Sequence, residues 1–425
     1  MKSTGGAAMA GLLAAGSMAM AQTNETVGAK PKTFGEDVAF LGAHTEVITL
    51  EQGDAKVAVV PAYQGRVMTS TTGGDAGPSF GWLNYKVIKA GLLSPAARKG
   101  KLEDHIYVFG GEERFWLGPE GGQYALYFAP GSAFEFAHWH TPAVIDSEPF
   151  ELAGRTSDSA VFRRSFSLVN YSGTRFDAAV QRTIRLLSPG AARTAFGAQW
   201  PDSVKAVAYE SDNLLTNRGR EPWTKEKGQL SIWLLGMYNP SPTTTVVIPF
   251  KAGPEETLGP KVNDAYFGKV PADYLVVKDN VLFFRADGTR RGKIGISPKR
   301  SLGLAGSYDA AGGVLTLVTY NVPDAHGGYV NSMWEIQKDP YGGDALNSYN
   351  DGSPEPGAAP LGPFYELETS SPAAALKPGE SIRHLQRTVH LAGSEADLEA
   401  VAKSKFGVGL AEIRDAFKGA AASAP

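Results

Sequence analysis

The amino-acid sequence predicts an all-β protein, a large antiparallel β-sandwich formed as a single domain. Most of the chain consists of short runs rich in β-branched and aromatic residues, each bounded by Gly, Pro, Asn or Asp. The 50 glycines and 27 prolines suit a chain with frequent tight turns better than a helical bundle. No repeat of fixed period is visible, which argues against propellers and solenoids.

The predicted strands follow one another with a turn roughly every ten residues, as in large β-sandwiches. They cover residues 57–62, 124–129, 160–168, 230–238, 244–250, 281–286, 314–322 and, with a half-solvated alternation, 383–390. Helix is expected only at the C-terminal end, where Ser394 and Asp397 resemble a capping box. A helical tail is therefore predicted over about residues 394–420.

Residues 1–22 have the features of a secretory signal peptide. Lys2 gives a positive start, the run AAMAGLLAAGSMAMA is apolar, and Ala19-Met20-Ala21 before Gln22 is an A-x-A cleavage pattern. The alternative is a buried N-terminal helix. The signal predicts a periplasmic or secreted protein whose residues 23–425 form one β-sandwich domain, with no membrane insertion after cleavage.

Composition excludes several function classes. The formal net charge of −3 offers no basic field for nucleic acid. The chain has no cysteine, which removes disulfides, thiolate nucleophiles and Cys-ligated metals together. No Ser/His/Asp arrangement or G-x-S-x-G motif stands out.

The segment GPFYELETSSPAAALKPGE, residues 362–380, contains two carboxylates two residues apart. In a strand, Glu366 and Glu368 point to the same side. On a solvent face such a pair is unremarkable. On a core face it is unusual, because burying an unpartnered charge is costly.

This segment resembles the C-terminal signature of the galactose mutarotase (aldose 1-epimerase) superfamily, in which a Leu-Glu-Thr segment carries the general base. Residues 57–70, VAVVPAYQGRVMTS, resemble the superfamily's opening strand, and residues 214–240 resemble its middle. The stretches RFWLGPEGGQY and NPSPTTTVVIPFK are similar to an uncharacterised branch of secreted bacterial proteins in it. The resemblance implies a β-supersandwich with a sugar bound in a concave cleft.

Carried over by position, the resemblance makes Glu368 the candidate catalytic base, since it precedes Thr369, and Glu366 the second candidate. Proton abstraction from an anomeric hydroxyl suits a partly buried carboxylate. The superfamily's epimerases have a mid-chain histidine that protonates the ring oxygen, whereas this chain has Gly236-Met237-Tyr238-Asn239 at that place. The standard general acid is therefore missing.

Two histidines are candidates to replace that acid. His138 and His140, in EFAHWHTP, would share one face of an extended segment. His138 could act as the acid or contact a sugar, and the pair could ligate a metal if a third ligand arrived from elsewhere. Ordinary surface or hydrogen-bonded histidines are the alternative.

Further candidates for substrate binding lie in two other segments. Trp116, Glu120 and Gln123 surround a Gly/Pro turn, where an indole beside a carboxylate and an amide would suit a sugar. Asn331 and Glu335 would share one face of an extended segment at 329–337. A plain hairpin turn is the alternative for the first segment, and in the second one face suits a core and the other a wet cleft.

A few other polar residues are weaker candidates for a functional role. Arg66, in the opening-strand match, is a candidate for substrate binding. The loop NSYNDG, residues 347–352, could hold Ca²⁺ through oxygen ligands, although an Asn/Asp/Gly turn needs no metal and no cofactor is otherwise expected. Glu210 and Asp212 would share one side of a strand and could supply an acid if they faced the cleft.

The sequence therefore predicts an exported carbohydrate-active protein that binds a pyranose or small glycoside as its partner. If it is catalytic, it acts as an epimerase, lyase or hydrolase through carboxylate acid/base chemistry, with Glu368 as the base. The alternative is a non-catalytic carbohydrate-binding protein that keeps the cleft but lacks the epimerase acid. We also predict that Glu120, His138 and Glu368 lie in one pocket.

Overall fold

The computed structural model describes residues 32–354 and 357–419. Within them, the strands form three antiparallel sheets of ten, five and three strands. The prediction of a large antiparallel β-sandwich is confirmed. The predicted signal peptide, residues 1–22, lies outside the described residues.

The strand bounds follow most of the predicted runs closely. In chain order the strands are Ile48–Gln52 (β1), Ala55–Val60 (β2), Arg66–Thr71 (β3), Arg114–Gly118 (β4), Glu151–Arg155 (β5), Ser159–Val169 (β6), Arg175–Leu186 (β7), Lys205–Asn217 (β8), Ser231–Tyr238 (β9), Thr244–Pro249 (β10), Leu275–Lys278 (β11), Val281–Arg285 (β12), Gly292–Ile296 (β13), Leu304–Asp309 (β14), Val314–Tyr320 (β15), Leu346–Asn350 (β16), Tyr365–Ser370 (β17) and Ser381–Ala392 (β18).

The ten-stranded sheet has the order β11-β12-β10-β14-β15-β18-β8-β7-β6-β5, and the five-stranded sheet has the order β13-β16-β17-β9-β4. Leu367 of β17 packs in one apolar cluster with Val246 and Val318 of the large sheet. On the same face, the Thr369 hydroxyl donates to the Gln386 side-chain oxygen on β18 at 2.6 Å. The two sheets therefore pack through this inner face, and the opposite face of the five-stranded sheet remains for a site.

A polar network crosses the core between the sheets. Arg182 on β7 forms an ion pair with Glu113 at 2.7 Å, and both side chains are fully buried. Gln386 donates to the second carboxylate oxygen of Glu113 at 2.9 Å and accepts from Thr369. Breaking one partner of such a buried pair is strongly destabilising, because it leaves a charge without compensation.

The helices are short and lie at several places along the chain. They are Phe34–Gly42 (α1), Tyr85–Ala90 (α2), Pro95–Arg98 (α3), Ala143–Asp146 (α4), Pro189–Phe196 (α5), Glu255–Leu258 (α6), Glu395–Phe406 (α7) and Leu410–Arg414 (α8). Helix α7 begins where predicted, because the Ser394 hydroxyl accepts from the backbone N–H of Asp397. Helices α7 and α8 both fall within the predicted tail.

The expectation that helix is confined to the C-terminal end is wrong. Helix α1 begins with a capping box in which Thr33 accepts from the Glu36 N–H and the Glu36 carboxylate accepts from the Thr33 N–H. The sequence T-F-G-E carries this signature, so the helix start was detectable. In the part of the chain described, no helix has the length and apolar character needed to cross a membrane.

Three other local predictions are corrected by the structure. Residues 124–129 form no strand and contribute only an isolated bridge between Phe128 and Trp139. Residues 329–337 form an irregular segment rather than an alternating strand. Asn347 and Asn350, predicted to lie in a loop, belong to β16. Apolar or alternating composition indicated extended chain, but it did not show where a sheet edge was free to pair.

Candidate active site

Glu366 and Glu368 lie on β17, the central strand of the five-stranded sheet. Glu368 is opposite Leu235 on β9 and Asn347 on β16, and Glu366 is opposite Met237 and Tyr349. Directly opposed residues of antiparallel strands share a face. Both carboxylates therefore lie on the face that points away from the ten-stranded sheet, and both are buried.

Glu368 is held by two donors that act on one oxygen. Lys293 Nζ lies 2.9 Å from Glu368 Oε2, and Trp233 Nε1 donates to the same oxygen at 3.0 Å. Among the described residues, the second oxygen, Oε1, has no hydrogen-bond partner, although the side chain is 0% exposed. A buried acceptor without a partner is uncommon in folded proteins and marks a place where a ligand or water would bind favourably.

Glu366 has a different environment, although it is only two residues away. Burial raises its pKa to about 8, and although Arg114 at 3.1 Å acts against this shift, the charge of Glu368 adds to it. Two like charges so close together favour ionisation of only one of them. Glu366 therefore carries a proton at neutral pH, whereas Glu368 has the Lys293 ammonium as its direct partner.

Two buried indoles border this carboxylate pair. Trp116 on β4 and Trp233 on β9 meet edge to face, with ring centroids 5.6 Å apart. The Arg114 guanidinium lies over Trp116 at 4.0 Å, and the Lys293 ammonium lies 5.1 Å from the Trp233 ring. Aromatic rings next to charged donors and acceptors are the combination that sugar sites use.

A small cavity opens beside these residues. Its volume is about 30 Å³, and its polar lining comes from Ser231, Trp233, Tyr266, Lys293, Ser332, Asp344, Asn347 and Ser370. That volume holds one or two water molecules, whereas small-molecule pockets measure about 300–1,000 Å³. Among the residues described, the cavity beside the carboxylate pair is therefore too small to be the expected open, concave sugar cleft. Glu368 itself does not line the cavity, because Lys293 and Trp233 stand between.

The cavity is covered by the segment between β15 and β16, residues 321–345, which we call the roof segment. Val330, Ser332 and Gly343 of the roof segment line the cavity. Gln123 fixes the roof segment from the other side: its amide donates to the Gln337 carbonyl at 2.9 Å and accepts from the Gln337 N–H at 2.9 Å.

Glu120 also fixes the roof segment. Its backbone N–H donates to Ser332 Oγ at 3.1 Å, and its carboxylate accepts from Trp334 Nε1 at 3.2 Å. Burial raises the pKa of Glu120, Lys293 lowers it, and Glu368 raises it further. Glu120 is therefore within electrostatic range of the Glu368–Lys293 pair, but its direct contacts are with the roof segment and it does not line the cavity.

Asp344 is the carboxylate that lines the cavity. It accepts from the Tyr266 hydroxyl at 2.6 Å and from the Asn263 amide at 3.1 Å. Burial raises its pKa, while Lys293 is among the groups that lower it. Asn347 donates to the Tyr266 hydroxyl at 3.1 Å, which joins β16 to this group.

The two candidate histidines lie apart from this arrangement. His138 is exposed at the end of a short 3-10 helix, Phe136–His138, rather than in an extended segment. His140 Nδ1 donates to the Asp104 carbonyl at 2.8 Å, and the imidazole stacks on His105. Trp139 between them is buried, and its ring lies 6.0 Å from that of Trp334. In the structure, the indole rather than either imidazole faces the site.

Other predicted binding residues have structural contacts. Arg66 is fully buried and donates to the Gly110 carbonyl and to Gln64. Asn331 binds the backbone of Met333 and Asp339 within the roof segment, and Glu335 is exposed on it. Each of these side chains supports local structure and makes no recorded contact with the Glu366–Glu368 pair among the residues described.

The alternative acids on β8 belong to the other sheet. Glu210 forms ion pairs with Arg185 and Arg387, and Asp212 forms one with Arg383. These are salt bridges between neighbouring strands of the ten-stranded sheet. Within residues 32–354 and 357–419, no three His, Asp or Glu side chains gather as a metal site would need.

Met237 lies within residues 236–239, the stretch in which the sequence resemblance led us to expect a general-acid histidine. It lies opposite Glu366 on the site face and is buried in the main apolar cluster. The residues that do reach the cavity, Lys293 and Asp344, were missed by sequence reasoning. Lys293 is one lysine in the short run GKIGI, and no local pattern shows that it faces two glutamates 73 to 75 residues away.

The fold and the site together define an antiparallel β-sandwich with a buried, paired-carboxylate centre on its smaller sheet. The chain belongs to the family of unknown function DUF6786, whose model matches residues 32–417. No curated protein matches the chain.

Several solved structures resemble this one at low sequence identity. A candidate aldose 1-epimerase from Escherichia coli K12 is 15% identical, with a TM-score of 0.45, covering 81% of this chain and 98% of its own. A protein from Synechocystis is 12% identical, with a TM-score of 0.47 and coverages of 81% and 96%. A galactose mutarotase-like protein from Lactobacillus casei is 11% identical, with a TM-score of 0.44 and coverages of 81% and 100%.

Proposed function

We propose that this protein binds a pyranose or small glycoside on the outer face of its five-stranded sheet and acts on it by proton transfer between the sugar and two carboxyl groups. The observation that carries the proposal is the pair on β17. Glu366 and Glu368 share one buried face, yet Glu368 is paired with Lys293 and Glu366 with Arg114. Adjacent carboxyl groups with unequal protonation are the usual basis of acid/base assignments.

Glu368 is the base in this proposal, and Glu366 is the acid. Glu368 takes the proton of the anomeric hydroxyl, whose oxygen forms a double bond to C1 as the bond between C1 and the ring oxygen breaks. The proton that Glu366 holds at neutral pH passes to that ring oxygen. One proton is taken up and one is given, so the total charge of the site does not change. A raised carboxyl pKa near the working pH is what an acid of this kind requires.

The surroundings of the pair favour a sugar over an apolar ligand. The cavity wall includes hydroxyl, amide, carboxylate and ammonium groups, and the indoles of Trp116 and Trp233 stand beside it. Sugars combine hydroxyl groups with C–H faces and so match a polar lining next to aromatic rings. Ser231 Oγ and Trp116 Nε1 are buried without a partner among the described residues, which leaves donors for sugar hydroxyls.

A sugar needs more room than the closed cavity offers. The roof segment is joined to the turn that follows β4 by the contacts of Gln123 with Gln337 and of Glu120 with Ser332 and Trp334. Its displacement would uncover Trp233 and Lys293, which already line the cavity. Binding in this proposal therefore requires the roof to open, as lids do in many enzymes.

A second candidate function is a non-catalytic carbohydrate-binding protein. It is favoured by Met237, which places an apolar side chain where the resembling epimerases have their acid. It is also favoured by the burial of Glu368 behind Lys293 and Trp233. In this alternative both carboxylates hold sugar hydroxyls and neither moves a proton.

Export is part of the proposal and rests on the sequence of residues 1–22. The protein is proposed to work in the periplasm or outside the cell, where its lack of cysteine makes it independent of disulfide formation. Mass spectrometry of the mature protein should find an N-terminus at or near Gln22. An intact Met1 on exported protein would overturn this part of the proposal.

The test of the function compares three matched substitutions, Glu366→Gln, Glu368→Gln and Glu151→Gln. Glucose, galactose, mannose and their methyl glycosides are screened by calorimetry for binding and by proton NMR for turnover. Glu368→Gln should lower turnover by about 10²-fold or more, the usual cost of losing a general base, with affinity little changed. Glu151→Gln, on an exposed position of β5, serves as the control.

The outcomes separate the two candidate functions. A wild-type protein that binds a sugar without turnover, and binds it more weakly in both the Glu366→Gln and Glu368→Gln variants, supports the binding protein. Normal turnover in Glu368→Gln would contradict the assignment of the base. No binding of any sugar by the wild type would refute the proposed function as a whole.

A further inference from the structure

We propose that Lys293 is the residue that contacts the substrate as the cationic donor of this site, hydrogen-bonding the oxygen at which negative charge develops. The inference rests on the proposed function and adds to it a group that stabilises charge on the substrate oxygen. It starts from a simple geometric fact. Lys293 lines the cavity, whereas Glu368, Glu366 and Glu120 do not.

The position of Lys293 on the sheet explains why it reaches the cavity. It lies on β13, the edge strand, opposite Tyr349 of β16 and therefore on the same face as the two glutamates. Its side chain extends across β16 to reach Glu368 on β17, with Nζ 2.9 Å from Oε2. The side chain is 13% exposed, so the ammonium lies between a fully buried carboxylate and the cavity.

The hydrogen-bond capacity of Lys293 is only partly used. An ammonium group has three N–H donors, and Glu368 Oε2 is the one acceptor recorded for it among the residues described. The rings of Trp233 and Tyr266 lie 5.1 and 5.5 Å from Nζ and stabilise the cation without accepting a conventional hydrogen bond. Two donors therefore remain for a molecule in the cavity.

The charges around Lys293 keep it a cation. Burial by itself lowers the pKa of the amine, but Glu368, Glu120 and Glu366 raise it, and the net result is a raised pKa. Asp344, also on the cavity wall, faces Lys293 and is itself affected by its charge. An amine of raised pKa is a poor proton donor but a strong charge-assisted hydrogen-bond donor. Lys293 therefore stabilises charge, and the proton itself comes from a carboxyl group.

This role also assigns a purpose to the Lys293–Glu368 pair. A buried ion pair contributes little net stability, because both ions lose their hydration. A preorganised cation beside a developing oxyanion, in contrast, is among the largest contributions an active site makes. While Lys293 binds the substrate oxygen, Glu368 Oε1, which has no partner, is the oxygen free to accept a proton.

The experiment measures the ammonium group directly. In protein labelled with ¹⁵N-lysine, the Nζ resonance of Lys293 is identified by its loss in the Lys293→Met variant. Saturating wild-type protein with a pyranose that binds should shift this resonance. The same sugar should bind Lys293→Met about 10- to 100-fold more weakly, the range for losing a hydrogen bond to a charged group. Lys278→Met, whose lysine pairs with Glu412 on the surface, is the control.

Lys293→Met leaves Glu368 buried without its cation and can fail to fold for that reason alone. The double variant Lys293→Met/Glu368→Gln removes both charges and should fold, because a matched neutral pair avoids the uncompensated charge. It should still bind the sugar weakly, whereas Glu368→Gln alone keeps the lysine and should bind it well.

The results distinguish this inference from the proposed function. Suppose that the wild type binds a sugar but its Lys293 Nζ resonance does not move, that Lys293→Met binds as tightly as the wild type, and that the double variant binds as tightly as Glu368→Gln. Lys293 then does not contact the substrate, and the proposed function stands. If the wild type binds no sugar, both are overturned together.

Discussion

The raised pKa of Glu366 makes the stability of the fold depend on pH in a way that one substitution should remove. Glu366 is buried, with a pKa of about 8 in the folded protein, whereas an exposed glutamate in the unfolded chain titrates near 4.5. The folded state binds the proton more tightly over this interval. The contribution of Glu366 to stability is therefore complete below about pH 4.5 and is lost as the pH rises through about 8.

The size of this stability change follows from the difference between the pKa values of Glu366 in the folded and unfolded protein. One pKa unit corresponds to about 1.4 kcal/mol, and pH 5 to pH 8 lies almost wholly between the two pKa values. The wild type should therefore lose about 3 kcal/mol between pH 5 and pH 8 relative to Glu366→Gln, which cannot titrate. The difference between the two proteins is the quantity to use, because Asp351 and Asp146, with pKa values raised to about 6 and about 7, contribute within the same range.

Urea unfolding followed by tryptophan fluorescence at pH 5, 6, 7 and 8 measures this difference. The free energy of unfolding of wild type minus that of Glu366→Gln should fall steadily over the series. A difference that stays constant within about 0.5 kcal/mol would show that Glu366 titrates normally, and the assignment of Glu366 as the proton donor would then be wrong. A difference that rises with pH would mean that the Arg114 ion pair at 3.1 Å outweighs burial.

Two further predictions concern the roof and the core. Gln123→Ala removes two hydrogen bonds to Gln337, each contributing about 1 kcal/mol, so amide hydrogen exchange at residues 329–343 should become about 30-fold faster. Gln181→Ala on β7 is the control, and unchanged exchange in Gln123→Ala would show that other contacts hold the roof segment. Glu113→Gln leaves the Arg182 charge unpaired and should cost about 3–5 kcal/mol in urea unfolding, whereas a loss below about 1 kcal/mol would show that the ion pair is not needed.

The fold was predictable because its strands carry their own pattern. Runs such as residues 244–250 and 314–322 are β-branched, bounded by turn residues, and form β10 and β15 nearly as predicted. Residues 124–129 have the same composition but form no strand, because composition does not reveal whether a neighbouring strand is available. Pairing depends on tertiary contacts, which a local pattern cannot encode.

The site was predictable only where its residues share a strand. Glu366 and Glu368 could be placed on one face from their spacing, and the structure places them so. Lys293 reaches them through the order of strands in the sheet, which no spacing shows. The exposed position of His138 was equally invisible, because a short 3-10 helix replaces the extended segment that its spacing had suggested.

The closed roof segment has a consequence for how tightly and how fast any ligand binds. If the two Gln123–Gln337 hydrogen bonds and the Glu120–Ser332 hydrogen bond each contribute about 1 kcal/mol, these three of the roof's four contacts with Gln123 and Glu120 alone leave only about one molecule in 10² open at a given moment. The measured dissociation constant is then about 10²-fold larger than that of the open form, since the observed affinity scales with the open population. As ligand concentration rises, the observed association rate would level off at the rate at which the roof segment opens. Stopped-flow traces would then measure the motion of residues 321–345 rather than the encounter between ligand and protein.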